Sequence, residues 1–359
     1  MYNMTSKNYK YLCKNNKTME LLVPKLYEFF DYQDNGKLGR PLFDFIKTRQ
    51  DCFFYDEFGS KNISMGMVSY ISSICNKMVD DNLLIRLKTN GVECLNDVFF
   101  VHLRPDNYQY PKLFKEHLAY GYYDFAYNGF PFTRAHFMKS VVPIIGKNKK
   151  GDIDIGTAYY IGNNEFVTAA HCILDLSGFR IQYTNGTAIK ISEIYLAVSS
   201  EDLDLAILKA DESIGLLPLL FGQPEVLDSV LTMGYPKIPG MDAVLISETG
   251  TISTFIPPAQ KASSGQVVAE AQSFLTPMDY FLINCRVKGG NSGGPVINSH
   301  GLVVGTVSQL VYDDKDGSDT GRYDIMGFGC CISSEHLLKM HEHHNTKALS
   351  FDGNYYYLK

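Results

Sequence analysis

Between residues 138 and 340 the apolar positions come in short runs separated by Gly, Asn, Asp and Pro, a pattern that predicts many short strands. Val141–Ile145 is one such run. Gly156–Ile161 and Phe166–Ala169 flank Gly162-Asn163-Asn164 and read as a hairpin. Further strands are expected at Ile189–Leu196, Leu205–Leu208, Ser229–Gly234, Ala243–Thr251, Tyr280–Asn284 and Val296–Asn298, which together predict an all-β barrel architecture. Ser333-Ser334-Glu335 ahead of Leu337 and Leu338 marks an N-capped terminal helix.

The first 137 residues have a different texture. Leu21–Phe30 and Pro41–Ile46 read as helices. Met67, Val68, Ile71, Ile74, Cys75 and Met78 fall on one face of a third. Leu83–Leu87, Asn90-Gly91 and Val98–Leu103 then read as a β-hairpin. Helices followed by a hairpin predict an N-terminal α+β domain that is winged-helix-like in order. Residues 104–137 are dense in Tyr and Phe and are expected to bridge two domains. With 359 residues exceeding what one core usually supports, the domain reading is 1–137, 138–345 and a tail at 346–359.

Charge narrows the partners. The first 137 residues carry 17 Lys+Arg against 15 Asp+Glu, within a whole chain of net charge −6, which argues against nucleic acid. No run is long enough to span a bilayer, and no basic start precedes an apolar run, so neither a membrane segment nor a secretion signal is expected. The eight cysteines show no regular framework and no CxxC pair. They predict reduced thiols and a cytoplasmic location. His341, Glu342, His343 and His344 put only two of the four on one helix face, so no metal and no cofactor is expected.

The chemistry concentrates in Gly289-Gly290-Asn291-Ser292-Gly293-Gly294-Pro295. A serine hydroxyl reacts only with a base beside it and donors waiting for the oxyanion, and glycines let a carbonyl approach the backbone N–H groups. Upstream lie His171, in Thr168-Ala169-Ala170-His171-Cys172, and Asp204, which precedes Leu205-Ala206-Ile207-Leu208, with Asp202 a rival carboxylate. The order His171, Asp204, Ser292, with each at the edge of an apolar run, resembles the chymotrypsin-fold (trypsin-like) serine peptidases. It is most similar to their HtrA-like branch, whose nucleophile motif also reads Gly-Asn-Ser-Gly-Gly. The resemblance covers about residues 138 to 340.

That resemblance implies a double β-barrel and a set of roles. His171 would be the general base, Asp204 its orienting partner and Ser292 the nucleophile, with the N–H groups of Gly290 and Ser292 as the oxyanion hole. Val303–Ser308 would line the specificity pocket, Ser308 bonding the buried Asp and the strand pairing with an extended substrate. The pocket floor falls on Arg286, with Val287 beside it and Gln309 and Leu310 at its rim. An inward Arg286 would select acidic side chains, whereas the bulk at the rim favours small or medium apolar ones. Secreted relatives pair the Cys after the His with one a strand upstream. Here Gly156 and Thr157 occupy that stretch, and Cys172 lacks its mate. They also place an Asp before the nucleophile to hold the amino terminus released on activation. Asn291 stands there instead, so that switch should be missing.

The expected function is a serine endopeptidase acting on protein or peptide substrates, controlled by an activating protein or ligand at the N-terminal domain. The alternatives are a catalytically silent scaffold with a protease fold and a DNA-linked regulator.

Overall fold

Pro24 sits in the first turn of α1 (Val23–Phe30), where its missing N–H is no loss and its fixed φ suits a helix. The computed structural model describes residues 20–34, 37–88, 94–102, 111–197, 203–236, 259–272, 279–310, 327–342, 346–351 and 356–358. The chain divides into two compact units, residues 1–135 and 136–359.

In the first unit, α1 is followed by β1 (Arg40–Pro41), α2 (Leu42–Lys47), the hairpin β2 (Phe53–Tyr55) and β3 (Lys61–Ile63), and α3 (Met65–Asp80). Strands β4 (Leu84–Lys88) and β5 (Val98–Val101) complete a three-stranded antiparallel sheet in the order β1-β5-β4. The face expected for α3 is the buried one: Val68, Ile71, Ile74, Cys75 and Met78 join Leu26, Phe30, Leu42, Phe45 and Phe99 in one core. Arg49 and Asp51 pair just ahead of the β2–β3 hairpin, which the sequence pattern did not signal.

The aromatic stretch forms α4 (Pro111–Tyr120), α5 (Tyr122–Asn128) and α6 (Phe130–Phe137), while Tyr108 and Tyr110 lie outside the described residues. Phe114 is buried in the first unit's own core, and Tyr123 and Tyr127 pack against it. Asp124 of α5 is fully buried, and its Oδ1 accepts the N–H groups of Leu22 at 2.6 Å and Val23 at 3.0 Å. A distant carboxylate thus caps α1, which lacks a side-chain cap of its own. Burial pushes the Asp124 carboxyl up to about 6, although the backbone N–H groups it accepts pull the other way.

The second unit opens with β6 (Val141–Lys147), β7 (Ile153–Gly162) and β8 (Glu165–Thr168). Asn163 and Asn164 both take positive φ, 51° and 64°, the conformation that a tight hairpin with strands of right-handed twist demands. After the short helix α7 (His171–Leu174) come β9 (Ser177–Gln182), β10 (Ala188–Ile189), β11 (Ile191–Ala197) and β12 (Ala206–Ala210). Next are β13 (Ser229–Gly234), β14 (Lys261–Gln272), β15 (Asp279–Ile283), β16 (Pro295–Asn298), β17 (Val303–Leu310) and β18 (Gly329–Ser333). The unit finishes with α8 (Ser334–Glu342), β19 (Thr346–Phe351) and β20 (Tyr356–Leu358). The strand expected at Ala243–Thr251 lies outside the described residues.

Six strands close into a barrel in the order β13-β14-β15-β18-β17-β16. The other sheet takes the place of the second barrel that the resemblance implies. It is a half-barrel of nine strands, β10-β9-β6-β7-β8-β12-β11-β19-β20. The reason lies at its end. Strand β11 has β12 on one side and a free edge on the other, and β19 takes that edge with Glu193 opposite Ser350 and Ala197 opposite Thr346. Residues 346–351 and 356–358, within the stretch read as a tail, are therefore strands of this sheet. At the start of α8 the Glu335 N–H reaches the Ser333 hydroxyl at 3.3 Å, which is the expected cap.

Candidate active site

Strands β8 and β12 run antiparallel with Thr168 opposite Ala206, so the residues just after β8 and just before β12 leave the sheet together. His171 and Asp204 occupy those positions. The Asp204 carboxylate accepts the His171 backbone N–H on Oδ1 at 2.9 Å and lies 2.8 Å from Nδ1 through Oδ2. Ser308, on β17 of the closed barrel, donates its hydroxyl to the same Oδ2 at 2.5 Å. Each carboxylate oxygen is thereby engaged, and the imidazole is held by both its backbone and its ring. The rival Asp202 lies outside the described residues.

Electrostatics follow from this pairing. Burial disfavours the Asp204 carboxylate, but the His171 hydrogen bond and charge, the Ser308 hydroxyl and the His171 N–H outweigh it and hold its pKa below the ordinary value. Burial likewise disfavours the His171 imidazolium. The Asp204 hydrogen bond, the neighbouring Cys172 and the Asp204 charge outweigh that burial and raise His171 to about 11.

Ser292 is half-buried just past a tight turn. The Asn291 N–H donates to the Lys288 carbonyl at 2.9 Å, and Gly290, third in this turn, has φ +100°. A positive φ at that place, with none at Gly289, marks a type II turn and favours glycine. A Cβ on Gly290 would lie 2.5 Å from the Tyr235 carbonyl. Gly293, at φ +80°, is tighter still, since a Cβ there would sit 2.2 Å from both the Thr157 carbonyl and the Thr168 hydroxyl. At these two glycines both the positive φ and the close backbone contact exclude a side chain.

Thr157, on β7, grips this loop. Its N–H donates to the Ser292 carbonyl at 2.9 Å and its hydroxyl to the Gly290 carbonyl at 2.7 Å. The same hydroxyl accepts the Tyr235 N–H at 3.1 Å, and the Thr157 carbonyl accepts the Thr168 hydroxyl at 2.7 Å. Sequence reasoning noted Thr157 only as a residue where a cysteine was missing. One threonine in a strand carries no local signal of such a role. Gly156 beside it faces Cys172: a Cβ on Gly156 would meet that thiol sulphur at 2.7 Å. The Cys172 sulphur also lies 3.4 Å from the Ser292 carbonyl and 3.7 Å from His171 Nε2.

Of the residues assigned to the specificity pocket, Val287 is buried and crowds Gly329, where a Cβ would meet its Cγ2 at 2.8 Å. Arg286 is exposed, in contrast to an inward-pointing floor. Cys285 and Val287 are both buried, so the residue between them faces the other way, where its guanidinium stays hydrated. The backbone of Gln309 pairs with Cys330 and that of Leu310 with Gly329, extending the strand on which Ser308 sits. The side chains of Gln309 and Leu310, and the His341–His344 run, fall outside the described side chains.

Residues 156–305 match the family model described as the trypsin-like peptidase domain. Among curated proteins, the chain is 30% identical over 166 residues to an Arabidopsis thaliana protein named putative protease Do-like 3, mitochondrial, covering 45% of this chain and 27% of that protein. It is 25% identical over 170 residues to protease Do-like 2, chloroplastic, of the same plant, covering 46% of this chain and 25% of that protein. The chain thus spans about a quarter of the length of the curated relatives it matches. Among solved structures, the active form of the Rv3671c protease from M. tuberculosis aligns at a TM-score of 0.43 and 18% identity, over 58% of this chain and 81% of that chain. The HtrA-type protease AlgW with a tripeptide aligns at a TM-score of 0.43 and 19% identity, over 59% and 63%.

Proposed function

For a chain that carries a trypsin-like peptidase domain of the HtrA/Do-like kind, we propose a serine endopeptidase working through His171, Asp204 and Ser292. The observation that carries this reading is the hydrogen-bonded file from Ser308 through Asp204 to His171, in a unit whose Ser292 follows a type II glycine turn.

In this reading His171 takes the Ser292 proton as the hydroxyl attacks the scissile carbonyl, and Asp204 stabilises the imidazolium that forms. The Gly290 and Ser292 N–H groups receive the oxyanion. The imidazolium then protonates the leaving amine, and water hydrolyses the acyl-enzyme by the same relay in reverse. Protein or peptide segments are the substrates, paired as an added strand along β17.

The first unit is read as a regulatory module, supported by its helix-strand-helix-hairpin-helix-hairpin order. Among the described residues Cys52, Cys172, Cys285 and Cys331 are free and buried, which supports a reducing compartment such as the cytoplasm.

Hydrolysis of fluorescein-labelled casein tests the reading. Fluorescence release by the full chain, abolished in Ser292→Ala, is expected. Release unchanged by that substitution refutes it.

A further inference from the structure

We propose that Thr157 is the positioning residue that holds the oxyanion-hole loop in its productive shape, an inference that rests on the peptidase reading of Ser292. The loop needs an anchor because its middle is glycine. A type II turn interconverts with type I by a half-rotation of its central peptide, here Gly289–Gly290, and glycines offer little steric resistance to that rotation. Rotation would turn the Gly290 N–H away from the position an oxyanion takes. In the structure the turn is type II, with Gly290 at φ +100°.

Thr157 is fully buried, and its hydroxyl, N–H and carbonyl all form hydrogen bonds in this neighbourhood. The donor and acceptor capacities of its Oγ1 are used on two different segments, the Gly290 carbonyl at 2.7 Å and the Tyr235 N–H at 3.1 Å. Its own N–H fixes the Ser292 carbonyl at 2.9 Å. The two carbonyls gripped, of Gly290 and Ser292, bracket the peptide that carries the Ser292 N–H and follow the one that carries the Gly290 N–H. One residue therefore restrains both donors at once.

The far side of the clamp is equally built. The Tyr235 hydroxyl donates to the Val141 carbonyl at 2.8 Å, tying the segment that abuts Gly290 back to β6. Thr168 ties the Thr157 carbonyl to the strand end that leads into His171. Thr157 thus links the base's strand to the nucleophile's loop through neutral hydrogen bonds, with the neutral side chain of Asn291 buried in the same loop. No released ammonium is required to hold such a loop.

The test compares full-length wild type, Thr157→Val, Thr157→Ser and Thr157→Cys. Thr157→Val keeps the shape and loses the hydroxyl. It should lower kcat on casein roughly tenfold to a hundredfold, with KM nearly unchanged. Affinity for a peptide boronate should fall in parallel, since that ligand reads the hole directly. Thr157→Ser should recover most of the rate. Independently of turnover, Thr157→Val should speed hydrogen–deuterium exchange in the peptide spanning Lys288–Gly293. Unchanged exchange there overturns the proposal whatever the activity, as does an unchanged kcat. A wild type that never hydrolyses casein through Ser292 overturns the peptidase reading instead and leaves the exchange result to judge Thr157. Should Thr157→Val not fold, Thr157→Cys, a weak donor of similar bulk, must exchange faster and turn over more slowly than Thr157→Ser. Equality of the two refutes the clamp.

Discussion

The two units bury polar groups for different ends. In the first, the buried carboxylate Asp124 sits within an aromatic and aliphatic core and caps α1. In the second, the buried Thr157, Thr168, Asn291 and Ser308 converge on the loop of Ser292 and on Asp204. A buried polar group costs free energy unless it is paired, and each of these groups is hydrogen-bonded or lies in a hydrogen-bonded loop. The difference is that removing the first unit's carboxylate should cost stability, whereas removing the second unit's groups should cost rate.

Asp204→Asn gives the largest expected separation. Losing the carboxylate removes the acceptor that sets the His171 tautomer, and kcat should fall about 10⁴-fold with little change in melting temperature. The pH profile sharpens this. Catalysis needs neutral His171, whose pKa is raised to about 11, so the wild-type rate should still be climbing with pH above neutrality. In Asp204→Asn the remaining rate should level off near the ordinary histidine value of about 6.5. The same raised pKa adds folded-state stability below about 6.5 that fades as pH climbs toward the folded value, a small effect for a side chain 40% exposed. A wild-type profile flat from pH 6 to 9 would break the account of the pair.

Asp124→Ala should act in the opposite currency. It leaves the N–H groups of Leu22 and Val23 buried without an acceptor, and the first unit should lose about 3 kcal/mol by denaturant unfolding. Asp124→Asn, which keeps an oxygen, should lose less. Because burial raises the Asp124 pKa to about 6, its contribution is greatest below the unfolded carboxyl's value and declines as pH rises through 6. Asp124→Asn should remove that slope. Equal stability of Asp124→Ala and wild type would erase the contrast between the units.

Gly156→Ala is the mildest case. A methyl 2.7 Å from the Cys172 sulphur should cost about 1–2 kcal/mol, recovered in part by Cys172→Ala in the same chain. Additive effects in the double variant would refute the contact.

What the sequence disclosed follows the same division. Hydrophobic period marked α3, the Asn163-Asn164 hairpin and most barrel strands, because each is written in neighbouring residues. The site residues His171, Asp204 and Ser292 were legible because small residues and glycines surround them in a recognisable order. Thr157 and Asp124 were not, since each acts on backbone groups far along the chain, at Gly290 and Leu22, that no local pattern ties to them. The pairing of β19 with β11 was hidden likewise, because a free strand edge exists only once the sheet has formed. Which way Arg286 faces was left open by the motif, because the alternation of buried Cys285 and Val287 decides it.

Mass spectrometry after reaction with a fluorophosphonate tests the central claim most directly. The account predicts a single adduct on the peptide containing Ser292, formed faster as pH rises and about 10⁴-fold more slowly in Asp204→Asn. No adduct at Ser292 at any pH, or an adduct whose rate ignores Asp204, would contradict it.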